Sequence, residues 1–337
     1  MAILVTGGAG YIGSHTVLIL LKYGIEVVIL DNLCNASHKI INRLEKITNK
    51  KLIFIENNIV NRICLKNLFK KYDISTVMHF AALKSINDSL HQPLLYYSNN
   101  VTGTIILLEE MLSANIRNFI FSSSATVYGI DSPIPYCETN SIGHTTNPYS
   151  TSKLMIEFII RDFVKVNPSF KAVALRYFNP VGAHESGELG ENSTGVPNNL
   201  LPYIAQVALG RLKKLNIFGN NYNTPDGTAQ RDYLHVIDLA EGHLNVLNHL
   251  PKIKGYKVYN FGSGKIFSVL EVIKIFEKIS GKKILFEYKP RREGDLPSFW
   301  ADTSLAKNEL GWQAKRDIYT MIRDMWNWYI KNPNGLN

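Results

Sequence analysis

The chain has 337 residues, of which 45% are hydrophobic and 19% charged, an ordinary globular composition that excludes a disordered or low-complexity polymer. Its 37 Lys+Arg against 28 Asp+Glu give a net charge of +9, but the basic residues are scattered, with only doublets such as Lys50-Lys51, Lys70-Lys71 and Lys213-Lys214, so no nucleic-acid partner is expected. The three cysteines, Cys34, Cys64 and Cys137, lack paired spacing, which argues against a disulfide framework or a cysteine metal site and fits the reducing cytoplasm.

The predicted elements begin at once. Met1 to Gly8 lacks the basic and long apolar regions of a signal peptide, and Ile3-Leu4-Val5 reads as a first buried strand. Tyr11 to Tyr23 has helical periodicity, with Gly24 suited to its end. Further strands are predicted at Glu26–Leu30, Leu52–Ile55, Thr76–His79, Phe119–Phe121 and Lys171–Leu175, separated by helical stretches. Pro93 opens a predicted long helix through about Leu112, and Asn147-Pro148 starts another to about Val166. Strands alternating with helices predict an α/β fold: a Rossmann-like doubly wound parallel sheet. After Arg176 the pattern changes. Gly182 to Asn199 and Gly219 to Gly227 are rich in Gly, Asn and Pro, and helices are predicted at Val236–Leu250 and Val269–Ile279. A smaller C-terminal α/β substrate domain is expected, with residues 1–176 as the first unit, 177–337 as the second, and the chain crossing between them more than once. No apolar run approaches the ~20 residues needed to span a bilayer, so no membrane partner is expected.

Thr6 to Gly13 follows the first strand and opens the first helix. Gly7 suits a tight turn, Gly10 a close backbone approach to a pyrophosphate, and Gly13 close helix–sheet packing; the helix N-terminus favours the anion. Asp31 ends the second strand, 18 residues after Gly13. A carboxylate there can accept from both adenosine ribose hydroxyls and repels a 2′-phosphate, which favours NAD over NADP. Tyr149 and Lys153 are four apart on one predicted helix face, and Ser124 follows a strand. A tyrosine ionises near pH ~10. A nearby ammonium and the charge of oxidised nicotinamide lower that value, so Tyr149 can act as a base toward a sugar hydroxyl, with Lys153 supplying the field and Ser124 relaying the proton.

These residues, with the strings Phe119 to Gly129, Leu175 to His184 and Pro290 to Pro297, resemble the extended short-chain dehydrogenase/reductase family over nearly the whole chain, and within it the bacterial enzymes that interconvert UDP-glucose and UDP-galactose. The resemblance implies that C4 of the sugar is oxidised to a transient ketone and re-reduced on its other face, with NAD recycled at each turnover. It implies a cofactor site formed by Gly7, Gly10, Tyr11, Ile12, Gly13, Asp31, Asn32, Leu33, Cys34, Asn35, Ala36, Asn58, Ile59, Phe80, Ala81, Ala82, Leu83, Lys84, Asn99 and Phe178 with Ser124, Tyr149 and Lys153. It implies a substrate site of Asn179, Asn199, Leu200, Asn216, Ile217, Phe218, Arg231, Arg292, Asp295 and Phe299, again with Ser124 and Tyr149, and a homodimer paired through the helices beginning at Pro93 and Pro148. Two arginines also suit a diphosphate on chemical grounds, because guanidinium forks match its oxygens. Three positions depart from the pattern: Asn58 replaces an acid common at the adenine edge, Ser150-Thr151 lies inside the Tyr149–Lys153 spacing, and Phe299 stands where a tyrosine is common. The bulk of Phe299 is expected to oppose an N-acetyl group on C2. Related 4,6-dehydratases carry an Asp-Glu pair directly after the active-site Ser/Thr. Ala125-Thr126 occupies those positions here and cannot eliminate water. A protein that keeps the fold and NAD without catalysis is the other alternative, disfavoured by the retained Ser124, Tyr149 and Lys153. His79 and His184 are expected to be structural.

Overall fold

The computed structural model describes residues 1–129, 131–192, 197, 199–292 and 294–336. Its main sheet is built from β1 (Ala2–Thr6), β2 (Val27–Asp31), β3 (Ile53–Glu56), β4 (Ile74–His79), β5 (Asn118–Ser124) and β6 (Lys171–Tyr177). Beyond β6 come β7 (Asn179–Val181), β8 (Leu215–Phe218), β9 (Gln230–His235) and β10 (Tyr256–Phe261), then β11 (Ile266–Ser268), β12 (Phe286–Lys289) and β13 (Ser298–Phe299). The seven-stranded sheet has the order β10-β6-β5-β4-β1-β2-β3, and every pairing in it is parallel. The doubly wound fold expected from the sequence is therefore present.

Strand alternation explains why both faces are covered. Ile3, Val5, Val27 and Ile29 point into one core, with Val17, Leu18 and Leu21 of helix Tyr11–Lys22 and Leu239 and Leu244 of helix Val236–His249. Ala2, Leu4, Val28 and Leu30 point into the other, with Leu107 and Met111 of helix Gly103–Ser113 and Ile156, Ile160 and Val164 of helix Pro148–Val166. Each such fully buried aliphatic side chain contributes about 1.5–3 kcal/mol.

A second sheet joins β11, β9 and β13, with β7 also on β9, and β8 pairs with β12 alone. These strands and helices Leu200–Ala208, Val269–Ser280 and Ile318–Lys331 form the smaller region. β10, from late in the chain, pairs with β6 of the main sheet.

Three predicted elements differ most from the structure. The long helix expected from Pro93 through Leu112 is three pieces: a short helix Pro93–Tyr96, a π-helical turn Tyr97–Thr102 and helix Gly103–Ser113. The wide turn accommodates buried Asn100, which accepts from Leu83 N at 2.8 Å and donates to Leu83 O at 3.0 Å. Gly103 follows it, packed so closely on Ile59 that a Cβ there would stand 2.6 Å from the Ile59 side chain. The strand predicted at Phe119–Phe121 continues to Ser124, and the one predicted at Lys171–Leu175 continues to Tyr177. Hydropathy stops short because the added residues are polar, yet they are paired: Glu157 accepts from Ser123 Oγ at 2.5 Å and from Arg176 Nε and Nη2 at 3.0 and 2.7 Å. No helix among the described residues is long and apolar enough to cross a membrane.

Candidate active site

β1 is flanked by β2 on one side and β4 on the other, so the chain reverses direction there and leaves a crevice beyond the strands' carboxyl ends. The glycine loop fills its floor. Gly7 has φ +71°, and a Cβ on it would lie 2.6 Å from Ala81 N, so the loop packs flush on the segment after β4. A Cβ on Gly13 would lie 2.2 Å from Gly7 O. A Cβ on Gly10 would meet only Gly7 O, at 3.2 Å, so at Gly10 the missing side chain leaves open room for a ligand. Helix Tyr11–Lys22 starts there with no side-chain cap and no acid in its first turn, which leaves its first N–H groups for an anion. Asp31 is buried at the end of β2 and accepts from Ala9 N at 3.0 Å and Leu33 N at 2.9 Å. Burial pushes its carboxyl up, and these backbone donors pull it back down. Asn32, Cys34, Asn35 and Ala36 follow on an accessible loop, with Leu33 in the left-handed region.

Ser124 ends β5. Asn147 caps helix Pro148–Val166 by accepting from Ser150 N at 2.9 Å, which sets Tyr149 in the first turn and Lys153 one turn on. Lys153 Nζ donates to Ser122 O at 2.6 Å and stands 6.0 Å from the Tyr149 ring centre. Burial pushes the Lys153 ammonium down to about 7, against the pull of Glu157. Burial also pushes the Tyr149 phenol up to about 12, with Ser124 pulling it down and Tyr96 pushing it further up. The lowered phenol expected from the sequence is therefore not what the protein's own groups give: desolvation dominates at Tyr149. Ser124 Oγ accepts from Thr126 Oγ1 at 2.9 Å, which leaves the serine proton free to face Tyr149.

The remaining cofactor candidates surround this crevice. Phe80 N donates to Thr6 O, and its ring lies 4.8 Å from His243. Ala81, Ala82, Leu83 and Lys84 continue the segment, held by Asn100; Asn99 donates to Asn100 at 3.0 Å. Asn58 Oδ1 accepts from Val60 N at 3.1 Å, while the Ile59 side chain is buried against Gly103. Phe178 directly follows β6 and packs 5.2 Å from Phe299.

The substrate candidates come from the second sheet. Arg231 on β9 is the register partner of Phe299 on β13. Its guanidinium donates to Gln230 O and Leu296 O and pairs with Asp295. Asn179 on β7 donates to Asp232 O at 2.8 Å. On β8, Asn216 and Phe218 are partly accessible while the Ile217 side chain is buried in the core. The Arg292 guanidinium stacks 4.0 Å over the Phe218 ring. Asn199 stands at the N-cap of helix Leu200–Ala208 without bonding it through its side chain. One aromatic cluster, Ala125, Tyr128, Tyr136 and Phe178 with Phe299, joins this wall to the segment after Ser124. The segment after Ser124 therefore packs directly against the strand that carries Phe299.

Comparison with known proteins narrows the family. The chain matches the family of GDP-mannose 4,6 dehydratase over residues 4–325. It is 62% identical to the UDP-glucose 4-epimerase of Erwinia amylovora over 99% of both chains, and 54% identical to that of Yersinia enterocolitica over the full length of both. The chain belongs to the UDP-glucose 4-epimerase family. Its structure superposes on the crystal structure of the Bifidobacterium longum UDP-glucose 4-epimerase, solved with NAD+ and UDP, with a TM-score of 0.96 and 47% identity over 100% of both chains.

Within the epimerase family, the wider dehydratase match reflects the shared scaffold. Sequence reasoning did not single out Asn100 and Tyr136, which brace the segments that carry the candidate residues. Tyr136 stacks 4.9 Å from Tyr128 and lies 5.0 Å from Phe299. The polar run Ser98-Asn99-Asn100 gave no signal for Asn100, whose partner Leu83 lies 17 residues away. His79 is structural: it lies 2.6 Å from Thr6 Oγ1 and 2.9 Å from Thr104 Oγ1. His184 bonds Ser186 and lies 3.0 Å from Lys22 Nζ.

Proposed function

We propose that the chain interconverts UDP-glucose and UDP-galactose by inverting C4 of the hexose, with residues 1–176 holding NAD and residues 177–337 mainly holding the UDP-sugar. The observation that carries this is the cluster in which Ala125, directly after Ser124, packs with Phe178 and with Phe299, the register partner of Arg231, which supports a reading that brings Ser124, Tyr149 and Lys153 to the same site as the Arg231–Asp295 pair. The uncapped helix start, the open side of Gly10 and buried Asp31 fit a dinucleotide diphosphate and ribose. When bound, NAD accepts the C4 hydride and returns it.

Tyr149 takes the proton from the sugar O4, helped by the Ser124 hydroxyl, as C4 loses hydride. Lys153, held by Ser122 O, orients the nicotinamide ribose and favours the phenolate. Asn179, Asn199, Leu200, Asn216, Phe218, Arg231, Arg292 and Asp295, with Ile217 through its backbone, anchor the UDP moiety, so the 4-keto sugar turns about that anchor. Tyr149 then returns the proton to O4 as hydride arrives on the opposite face. Arg231 is already held by Asp295, Gln230 O and Leu296 O, so the donors it has left meet a phosphate with little freedom to lose, while the Arg292 guanidinium, stacked on Phe218, keeps its fork for the diphosphate. Phe299 narrows the sugar wall and favours hexoses with a free C2 hydroxyl. Exposed Ile86, Leu90, Leu94, Leu95 and Met155, on the helices around Pro93 and on Pro148–Val166, support a homodimer. Free Cys34, Cys64 and Cys137 support a cytoplasmic location.

The test is incubation with UDP-galactose, without added NAD, followed by chromatographic separation. UDP-glucose forming toward a stable mixture with no net NADH is the expected result. No product even after adding NAD overturns the reading, and a 4-keto-6-deoxy product moves it to a dehydratase.

A further inference from the structure

Lys84 lies in the segment after β4, next to the glycine loop, and its side chain is 58% exposed. Such a lysine would ordinarily sample many rotamers. Here its ammonium is 3.1 Å from Glu191 Oε1, on a carboxylate only 15% exposed. The backbone at Glu191 is anchored on Trp328. Trp328 Nε1 donates to the Glu191 backbone oxygen at 3.0 Å, and Gly190 lies so close to the Trp328 ring that a Cβ would stand 2.5 Å from it. Glu191 also reaches the start of the first helix. With Tyr11 and Gly182 it lines a pocket of 10 Å³, room for about one water. Tyr11 donates to Gly182 O at 2.7 Å. Burial, and then the Glu191 carboxylate, push the Tyr11 phenol up. One carboxylate therefore faces both Lys84 and the helix end where the glycine loop closes.

We propose that Glu191 is a positioning residue for the cofactor: its carboxylate holds the Lys84 ammonium beside the helix N-terminus, so that Lys84 meets the dinucleotide diphosphate already ordered. This rests on the reading that Lys84 faces the cofactor. Glu191 touches no reacting atom; it acts through Lys84, as outer partners act on the ligands they orient.

The experiment measures NAD release from the loaded full-length chain, with no sugar nucleotide present, for wild type, Glu191→Gln, Lys84→Met and the double variant. Glu191→Gln is expected to speed release about two- to fivefold, the range of a partly exposed ion pair. Lys84→Met is expected to speed it at least as much, and the double variant to match Lys84→Met alone, because Glu191 then has nothing to hold. Release unchanged or slowed in Glu191→Gln overturns the proposal; slowing would mean that Glu191 competes with the diphosphate for Lys84. Effects that multiply in the double variant also overturn it. Unchanged release in Lys84→Met removes the premise and the proposal with it. Because no sugar is present, the outcome is independent of which UDP-sugar the chain converts.

Discussion

Tyr149 illustrates how much one residue depends on its surroundings. Its hydroxyl starts at about 12 because burial favours the neutral phenol, so the base form has to be earned from Ser124 and from positive charge. Tyr149→Phe removes the proton acceptor and leaves packing intact. It is expected to lower kcat by about 10²–10⁴ while NAD stays bound, as read by chromatographic conversion of UDP-galactose and by cofactor content after denaturation. Unchanged kcat would refute the role of Tyr149. Phe299 sets a different quantity. Wedged 5.0 Å from Tyr136 and 5.2 Å from Phe178, it has aromatic neighbours that resist its retreat. UDP-glucose and UDP-galactose are therefore expected to turn over with higher kcat/KM than their N-acetylated counterparts. Equal efficiencies for the two substrate pairs overturn that expectation.

At the scale of elements, the join between β5, β6 and helix Pro148–Val166 combines apolar packing with one buried charge pair. Arg176 and Glu157 are 3% and 2% exposed, and the carboxylate also accepts from Ser123 on the neighbouring strand. Arg176→Met leaves that carboxylate buried without its main partner, which is expected to cost about 3–5 kcal/mol, read as a lower urea midpoint at unchanged m-value. Adding Glu157→Met removes the stranded charge and is expected to restore most of the loss. A single-variant effect below about 1 kcal/mol would show that the pair contributes little beyond its desolvation. The same helix carries Tyr149 and Lys153, so the charge pair holds the catalytic turn against the sheet. Its role is invisible to hydropathy, which reads Arg176 and Glu157 as surface residues.

The whole molecule carries two further expectations. Burial holds His15 and His79 down to about 3 and His243 to about 4. Their unfolded forms titrate near about 6.5. Between those values the unfolded chain binds protons that the folded chain refuses, so stability falls as pH drops from about 6.5 toward 4. Calorimetry in buffers of different ionisation enthalpy at pH 5 is expected to show uptake of about three protons on unfolding from these histidines. Uptake near zero would contradict it. For assembly, Leu94 is 80% exposed beside Leu90 and Leu95, and light scattering at micromolar concentration is expected to give a dimer that Leu94→Glu dissociates. A wild-type monomer under those conditions refutes the dimer.

Local order was legible from the sequence alone. Strand and helix periodicities, the glycine loop, the Asp31 strand end, the Asn147-Pro148 helix start and the spacing that puts Tyr149 and Lys153 on one face all follow from neighbours within a few residues. Backbone geometry acts at that range, so pattern suffices. The break of the Pro93 helix at the turn around Asn100, the polar ends of β5 and β6, the register that sets Phe299 against Arg231, and the pairs Glu157–Arg176 and Lys84–Glu191 were decided only by the tertiary structure. Each depends on a partner distant along the chain. A polar residue in an apolar setting is stable only when that partner arrives, and the one-dimensional pattern holds no record of which partner it will be.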